Sequence, residues 1–506
     1  AIAFENAAGR DREVLDELGN TVLYGHPDAQ AILTKIQVEN DRLLILRNTV
    51  EGERPAGFVS YREIGNEDLF GVLKDMELAN LVRGKSSREI LLITGIYARE
   101  DGIGDSGVIR DAPQQLLVEV LAKELEKNYS FALFVAERGT ATKEVGYVLE
   151  RQGFIRPHMA DESDKRTIYM VDMHEPLMFL HNLDTTIKEP FASNPAVLDA
   201  VERNHRKLQI AMTKLYPGNL VLSLSSGIMY HRLVDRITAL NDVPREPLVP
   251  RRLGKNMCVP FGKILRGKVV PNTVTKTLHT DKVYEPDLSS FTIEPFPYYS
   301  PLKSQIETIK SFDRPVILVD DLVHTANRLQ VLVPQLREDG IPIKKVVVGV
   351  LSGYGRDLMQ CLKVPVESIY SMPNLRQWFV ESTLYPFIGG DTVRREEMKV
   401  AGLQPSINMI LPYATPRLSG CSREALVEFS ACCIENSRDL FQVLEAEYRK
   451  MYAKNLTLSR LSEAVILPLC PDKGSCMEYD ENLAASVYLE NDLETLWRMK
   501  EFMIKG

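Results

Sequence analysis

The chain has 506 residues, of which 44% are hydrophobic and 26% charged, proportions that allow large buried cores and exclude a disordered, collagen-like or coiled-coil protein. Its 61 basic and 69 acidic residues give a net charge of −8, so no global field attracts nucleic acid or anionic lipid. No apolar run approaches the roughly 18–20 residues of a membrane helix, and no membrane partner is expected.

The first region, residues 1–182, alternates strand-like and helix-like patterns. Strands are predicted at 56–61, 90–96, 131–135 and 167–171, with helices between them. The sequence therefore predicts a mixed α/β domain here.

One segment of this region, residues 141–154, is a helix pattern that ends in Gly-Phe and resembles the late helix of the GNAT acetyltransferase superfamily. The resemblance implies acetyl-CoA as a cofactor, with its pyrophosphate on a glycine-rich loop. This chain has Arg110, Asp111 and Pro113 at that position instead of glycines, and Leu149 where the family often has a general-acid Tyr. A fold retained for structure or for another ligand, and active acetyl transfer, are therefore both open.

The segment 183–195 contains two prolines and is interpreted as a linker. In the next region, 196–390, the strands predicted at 220–224, 316–319 and 346–350 are nearly all apolar, as in a parallel sheet flanked by helices. The last region, 391–506, is predicted to be mainly helical. One amphipathic stripe there is formed by Leu426, Phe429, Cys433, Leu440, Leu444, Tyr448 and Met451.

The segment 316–328 is the most informative. A predicted buried strand ends in Asp320 and Asp321, and a polar turn at 324–327 leads into a helix. Such a turn exposes backbone N–H groups at the positive end of the helix dipole, where a phosphate can bind. The carboxylates would repel that phosphate but can accept hydrogen bonds from hydroxyls of the sugar that carries it. The segment predicts a sugar-phosphate site.

This segment resembles the phosphoribosyl diphosphate (PRPP) motif of the type I phosphoribosyltransferases at Asp320, Asp321 and Thr325, with Ala326 in place of the usual Gly and His324 in place of a Thr. The resemblance implies that the two acids act in catalysis, by holding the ribose hydroxyls and stabilising a ribosyl cation. It implies Mg²⁺ on the diphosphate, related to the acids only indirectly through PRPP. The residues implied for the 5′-phosphate are His324, Thr325, Ala326, Asn327 and Arg328.

A second turn, Ser225, Ser226 and Gly227, follows the predicted strand 220–224, about 95 residues upstream of the acid pair. Small residues allow backbone N–H groups to approach an anion closely. The family has its pyrophosphate loop at a similar position, so the resemblance implies that these three residues bind pyrophosphate.

Between the two motifs, residues 251–282 carry eight basic residues and one acid, Asp281. The resemblance implies a basic loop that closes over the diphosphate, with Lys276 and His279 as catalytic candidates and Lys282 beside them. A solvated loop and a nucleic-acid patch are the alternatives. Tyr354 is the candidate for stacking on an acceptor base. The basic residues are Arg251, Arg252, Lys255, Lys263, Arg266, Lys268, Lys276 and Lys282.

These observations predict a Mg²⁺- and PRPP-dependent phosphoribosyltransferase that acts on an unidentified nitrogen acceptor, fused to a GNAT-like domain. The alternatives are a non-catalytic PRPP- or nucleotide-binding regulatory module, and an acetyl-CoA-dependent N-acetyltransferase whose PRPP-type domain supplies the acceptor. A homo-oligomer is compatible with each of these functions. The eight histidines lack ligand spacing, and His158, His174 and His181 are interpreted as ordinary surface or linker residues.

The seven cysteines are too few for a disulfide framework and show no zinc-site spacing, which favours reduced thiols and a cytoplasmic location. The chain begins at Ala1 without a signal-peptide pattern. This start fits either removal of an initiator Met or a segment of a longer polypeptide with further domains.

Overall fold

The computed structural model describes residues 2–49, 52–99, 111–137, 143–157, 166–250, 252–395, 400, 402–473 and 478–505. Its contacts divide the chain into a first unit, Ala1–Leu177 with Pro217–Leu222, and a second unit, Met178–Tyr216 with Ser223–Gly506. In the part of the chain described, no helix is long and apolar enough to cross a membrane.

The first unit has a mixed sheet with helices packed against it. Its elements are β1 (Ile2–Ala8), α1 (Arg12–Asn20), α2 (Ala29–Glu39), β2 (Arg42–Asn48), β3 (Arg54–Ile64), α3 (Leu69–Leu73), α4 (Met76–Lys85), β4 (Ile90–Ala98), α5 (Ala112–Glu124), β5 (Phe131–Glu137), α6 (Lys143–Arg151) and the start of β6 (Arg166–His181). The strand order is β1-β2-β3-β4-β5-β6, with β4 and β5 parallel and the other neighbours antiparallel. The expected mixed α/β domain is confirmed.

The Gly-Phe pair after α6 marks a close approach of two chain segments. Gly153 has φ +92°, and a Cβ there would lie 2.2 Å from the carbonyl oxygen of Asn219. Val221 donates its backbone N–H to Gln152. Glycine is therefore needed at 153 because β7 (Asn219–Ser225) passes against this turn and pairs with β6.

The second unit contains two sheets. Its further elements are α7 (Pro195–Thr213), α8 (Ser226–Leu240), β8 (Met257–Pro260), β9 (Val274–Thr275), β10 (Thr280–Tyr284), β11 (Phe291–Pro295), α9 (Leu302–Lys310), β12 (Val316–Val323), α10 (Asn327–Glu338), β13 (Ile343–Ser352), α11 (Gly353–Cys361), β14 (Val366–Met372), β15 (Gln377–Val380), α12 (Glu381–Leu384), β16 (Asp391–Val393), β17 (Gln404–Ile407), α13 (Arg423–Tyr452), β18 (Leu469–Pro471) and α14 (Ala485–Lys505).

One of these sheets has the order β14-β13-β12-β8-β9, and each neighbouring pair in it is parallel. Its buried core includes Leu318 and Val346 of the strands and Leu329 and Leu332 of α10. The predicted parallel sheet is confirmed. The other sheet has the order β11-β10-β16-β17-β18 and mixes parallel and antiparallel pairs.

Three features differ from the sequence-based expectations. The strand at 220–224 was expected in the parallel sheet, but it is part of β7 and pairs with β6. The expected linker 183–195 is packed, since Leu183 and Phe191 are fully buried. The expected boundary at 390 falls inside a sheet, because β16, β17 and β18 pair in the same sheet as β10 and β11. An apolar run predicts that a strand is buried but does not specify its partner.

Candidate functional site

The acid pair lies at the carboxyl edge of the parallel sheet, beside the turn that follows β8. Val319 of β12 is in register with Pro260 of β8, and Phe261 donates its N–H to Val319. The β8 turn therefore leaves the sheet next to Asp320 and Asp321. Ligands of open α/β sheets bind at this edge.

Asp321 holds the β8 turn in place. Its Oδ2 accepts the N–H of Lys263 at 2.7 Å, and its Oδ1 accepts the N–H of Ile264 at 3.0 Å. A Cβ at Gly262 would lie 2.5 Å from Asp321 Oδ1 and 2.8 Å from Asp320 Oδ1. Glycine at 262 lets the turn approach both carboxylates, and the role of Asp321 in this geometry is structural.

Asp320 has a different environment from its neighbour. Its Oδ1 accepts the N–H of Asp321 at 2.8 Å and lies 3.9 Å from the nearest guanidinium nitrogen of Arg328. Burial, opposed by Arg328 and reinforced by Asp321, raises the pKa of Asp320 to about 7. Asp320 therefore changes charge near neutral pH.

Arg328 and Arg266 act on the charge of Asp320, and the Lys263 side chain lies among Arg266, Arg328 and the acids Asp391 and Asp281. Burial, and then the charge of Arg266, lower the pKa of Lys263 to about 8. Burial and the charge of Arg328 lower the pKa of Arg266. Cations that depress one another's pKa in a partly buried site favour binding of an anion. These residues are among the basic or phosphate-site residues expected from the sequence, whereas the β8 turn is not, because its signal is only a short apolar strand followed by Gly262-Lys263.

The turn at 324–327 leads from β12 into α10, as predicted. Ala326, at the position where the resemblance expects Gly, has φ +51°. His324 Nδ1 lies 2.8 Å from Ser352 Oγ, and the ring of Tyr354 lies 5.8 Å from that of His324. Thr325 Oγ1 accepts a hydrogen bond from the Asn327 side chain. The structure therefore brings the predicted 5′-phosphate turn and Tyr354 together.

The predicted pyrophosphate turn follows β7, a strand outside the parallel sheet. Ser225 ends β7 and its Oγ accepts the N–H of Ile228, while Ser226 and Gly227 form the first turn of α8. Because β7 pairs with β6, this turn does not follow a strand of the parallel sheet. The turn that the structure sets against the acid pair is that of 261–264.

The two catalytic candidates in the basic segment lie between β9 and β10. His279 stacks on Tyr299 at 3.7 Å, and its N–H bonds to Gln305. Lys276 donates its backbone N–H to Cys258, and its charge, after burial and Arg266, lowers the pKa of His279. Lys282 lies over the rings of Tyr284 and Phe291. Arg251 lies outside the described residues.

The geometry also bears on the implied Mg²⁺. Both oxygens of Asp321 accept backbone N–H groups, an arrangement that does not suit direct metal ligation. Among the described residues, no third His, Cys, Asp or Glu ligand joins Asp320 and Asp321 in a cluster. The pair fits an indirect relation to the ion through a bound diphosphate.

In the first unit, the sheet opens between β4 and β5. These parallel strands pair only at 91–93 with 132–134, while β4 continues along β3 and β5 continues along β6. Ser60 pairs with Gly95 and Tyr61 with Ile93, so Thr94 is an extra residue in β4 immediately after its last pairing with β5. A β-bulge bends its strand, which explains the opening.

The residues compared with the GNAT loop are only partly described. Arg110 and His158 lie outside the described residues. The Asp111 carboxylate lies 3.0 Å from the guanidinium of Arg151, which offsets its negative charge beside α5. Leu149 is fully buried and Tyr147 is exposed, so α6 has an apolar side chain at the expected general-acid position.

No protein-family profile matches the sequence, and no curated protein is significantly similar to it. Solved structures similar to it include a GNAT-family acetyltransferase from Bacillus cereus, with 14% identity and a TM-score of 0.21 over 34% of this chain and 97% of that one. They include the catalytic domain of a Tetrahymena histone acetyltransferase in complex with coenzyme A, with 12% identity and a TM-score of 0.23 over 34% of this chain and 94% of that one. A third is the Escherichia coli ribosomal-protein-S18-alanine N-acetyltransferase, with 9% identity and a TM-score of 0.23 over 34% of this chain and 94% of that one.

These three structures are acetyltransferases, and none is a phosphoribosyltransferase. The likeness extends over about a third of this chain, and at these identities and TM-scores it assigns no activity. The phosphoribosyltransferase resemblance remains a prediction.

Proposed function

We propose that the second unit binds PRPP at the carboxyl edge of its parallel sheet and transfers the phosphoribosyl group to a nitrogen acceptor. The observation that supports this most directly is the group of three cations, Lys263, Arg266 and Arg328, that lie close to one another at this edge, with Arg328 3.9 Å from Asp320. A diphosphate would replace the repulsion among these cations by attraction. A simple sheet edge with solvated acids needs no such set.

The residues divide into distinct roles in this proposal. The turn at 324–327 takes the 5′-phosphate at the start of α10. Lys263 and Arg266 take the diphosphate, and Mg²⁺ supplies further neutralisation through phosphate oxygens when it is bound. Asp320 accepts hydrogen bonds from the ribose hydroxyls and stabilises positive charge on the sugar.

The transfer breaks the bond between the anomeric carbon and the diphosphate oxygen, and pyrophosphate leaves with the electron pair. The lone pair of the acceptor nitrogen forms the new bond to that carbon, and the nitrogen then releases a proton. The chain contributes position and charge rather than a covalent intermediate. Tyr354, close to His324, is the residue proposed to stack on the acceptor.

The test is isothermal titration of the full chain with PRPP in Mg²⁺. We expect micromolar binding, and a loss of at least about 100-fold in Asp320→Asn, since hydrogen bonds to a charged acceptor are worth about 1.5–3 kcal/mol each. Asp287, an exposed acid between β10 and β11, supplies the control: Asp287→Asn should keep the wild-type affinity. Absence of wild-type binding at millimolar PRPP would reject the proposal, as would equal binding by Asp320→Asn.

A second candidate is acetyl-CoA binding in the first unit, favoured by the opening between β4 and β5. Strand edges at 94–98 and 135–137 face this opening without a ladder between them. Open strand edges bind extended ligands through backbone hydrogen bonds. The pantetheine part of coenzyme A has two amides on an extended chain and suits such edges.

The second candidate is tested by titrating acetyl-CoA into the full chain and competing with pantetheine or ADP. We expect pantetheine to compete and ADP alone to compete poorly, because the opening would recognise the amide chain. Competition by ADP but not by pantetheine would place recognition elsewhere and reject the role of the opening. No binding at millimolar acetyl-CoA would reject the candidate.

A further inference from the structure

Three potential metal ligands meet in the second unit: His181 at the end of β6, His205 in α7 and Glu381 at the start of α12. One ligand atom of each lies within 4.8 Å of the others. His181 Nδ1 lies 2.5 Å from Glu381 Oε2, and His205 Nδ1 lies 3.9 Å from the same oxygen. The Nδ1 atoms of both imidazoles therefore face one carboxylate oxygen, Oε2 of Glu381.

The carboxylate at the centre of this cluster is fully buried, whereas the His181 side chain is 20% exposed. A buried carboxylate is strongly disfavoured unless a cation compensates it. His181 is the ligand of the cluster most accessible to solvent.

Two reciprocal hydrogen-bond pairs hold the elements that carry these ligands. The side chain of Asn182, next to His181, accepts the N–H of Ser382 and donates to its hydroxyl, which aligns Glu381. The side chains of Asn204 and Asn436 each donate to the other's backbone carbonyl, at 2.9 and 2.8 Å. The three ligands are thus positioned by their immediate chain neighbours.

His205 and Glu381 each also have a contact on their outer side. His205 Nε2 lies 3.5 Å from Ser223 Oγ, which favours a lone pair on Nδ1. Tyr385 donates its hydroxyl to Glu381 Oε1 at 3.2 Å, which leaves Oε2 for the imidazoles. Partners of this kind orient the ligands of metal sites in proteins.

We propose that His181, His205 and Glu381 bind one zinc-class divalent ion, with a fourth position for water. Two imidazole nitrogens and one carboxylate oxygen are a donor set of catalytic zinc sites and differ from the all-oxygen set that Mg²⁺ prefers. At bond lengths of about 2.0–2.1 Å, tetrahedral ligand atoms are about 3.3 Å apart. The distance from His181 Nδ1 to Glu381 Oε2 would lengthen and that from His205 Nδ1 to the same oxygen would shorten, each by less than about 1 Å.

The imidazole rings must move to admit the ion. They now stack at 3.6 Å with an interplanar angle of 28°, and their planes would have to diverge.

The test uses the full chain, stripped with a chelator, incubated with Zn²⁺ and separated from free ion. Mass spectrometry of the metal should give one zinc per chain. His205→Ala and Glu381→Gln should each weaken zinc binding by more than about 100-fold, since even outer contacts are worth about 10–100-fold. The control is His174→Ala, which removes another histidine with a carboxylate at 2.7 Å, from Asp172, and should bind as wild type. Mg²⁺ should not compete.

Equal zinc binding by folded Glu381→Gln, or no zinc on the wild-type chain, would overturn the proposal and leave a proton-sharing His–Glu pair. If the variants do not fold, X-ray absorption of the zinc-loaded wild type decides. Two imidazoles and one carboxylate support the site, and sulfur ligands overturn it. Neither readout depends on PRPP or acetyl-CoA.

Discussion

Two carboxylate sites in the second unit differ in the side chains that surround the negative charge. At the edge of the parallel sheet, Asp320 and Asp321 lie among cations that weaken one another's charged state. At the His–His–Glu cluster, Glu381 has imidazoles on one side and the Tyr385 hydroxyl on the other, and amide pairs fix its surroundings. The first arrangement groups several cations that suit an extended polyanion, and the second has convergent ligands that suit one small cation.

The same contrast separates the two adjacent acids. Asp321 has both oxygens bonded to the backbone, whereas Asp320 Oδ1 bonds to its neighbour's N–H and lies at 3.9 Å from Arg328. Adjacent residues of one type thus differ in role, because their oxygens have different hydrogen-bond and charge partners.

The largest expected effect is on stability, in Asp321→Ala. Two backbone N–H groups of the β8 turn would lose their acceptor, at about 1–3 kcal/mol each, so the free energy of unfolding should fall by about 3 kcal/mol. Chemical denaturation measures this, with Asp287→Ala as the control. An unchanged stability would mean that Asp321 does not hold the turn, and the distinction between the two acids would be lost.

Arg266→Met should weaken PRPP binding by about 10–100-fold, because it removes one charge-assisted contact to the diphosphate. The fold should be retained, since burial and Arg328 already disfavour this charge. Lys268→Met is a matched control in the same segment, since Lys268 lies over the ring of Tyr230. A similar loss of affinity in both variants would indicate a diffuse basic surface instead of a site.

The pH dependence of Asp320→Asn tests the environment of this acid. Its pKa of about 7 in the folded chain exceeds the ordinary value of 3.8, so the folded state holds the proton more tightly and loses stability as the pH rises from about 4 to 7. Asp320→Asn should therefore match wild type near pH 4 and exceed its unfolding free energy by an amount that grows as the pH rises toward 8. A pH-independent difference would contradict the raised pKa.

The pKa values of Asp320 and Lys263 together predict the pH range for PRPP binding. Asp320 gains its charge as the pH passes about 7, and Lys263 loses its charge as the pH passes about 8. Affinity should be highest between these values and fall on both sides. Titration calorimetry across this range measures it, and an affinity that keeps rising above pH 9 would show that Lys263 does not contact the ligand.

The smallest effect is expected for Ala326→Gly. The left-handed conformation costs a residue with a Cβ about 1–2 kcal/mol, and the greater freedom of Gly in the unfolded chain offsets about 0.4–1 kcal/mol of the relief. The net gain in unfolding free energy should be below about 1 kcal/mol. Ala446→Gly, at an exposed position in α13, should lose about 1 kcal/mol. A lower free energy of unfolding in both variants would show that Ala326 is not strained.

Local features of the fold could be predicted from the sequence, and long-range pairings could not. The apolar runs at 316–319 and 346–350 and the turn after Asp321 are local signals, and the structure has strands and a turn there. β8 has only four residues and gives a weak periodicity, so the Lys263 turn was missed. His181 and Glu381 are 200 residues apart, and no spacing rule connects them; the interpretation of His181 as a surface or linker residue was wrong.

Strand β7 has a consequence for the order of events during synthesis. Residues 217–222 complete the first unit, although the chain first passes through α7 of the second unit. On the ribosome, the sheet of the first unit therefore stays one strand short after residue 177 has been added, and β6 keeps an open edge until β7 follows. At about 5–20 residues per second this interval lasts a few seconds, in which a nascent chain is open to chaperones or to mispairing.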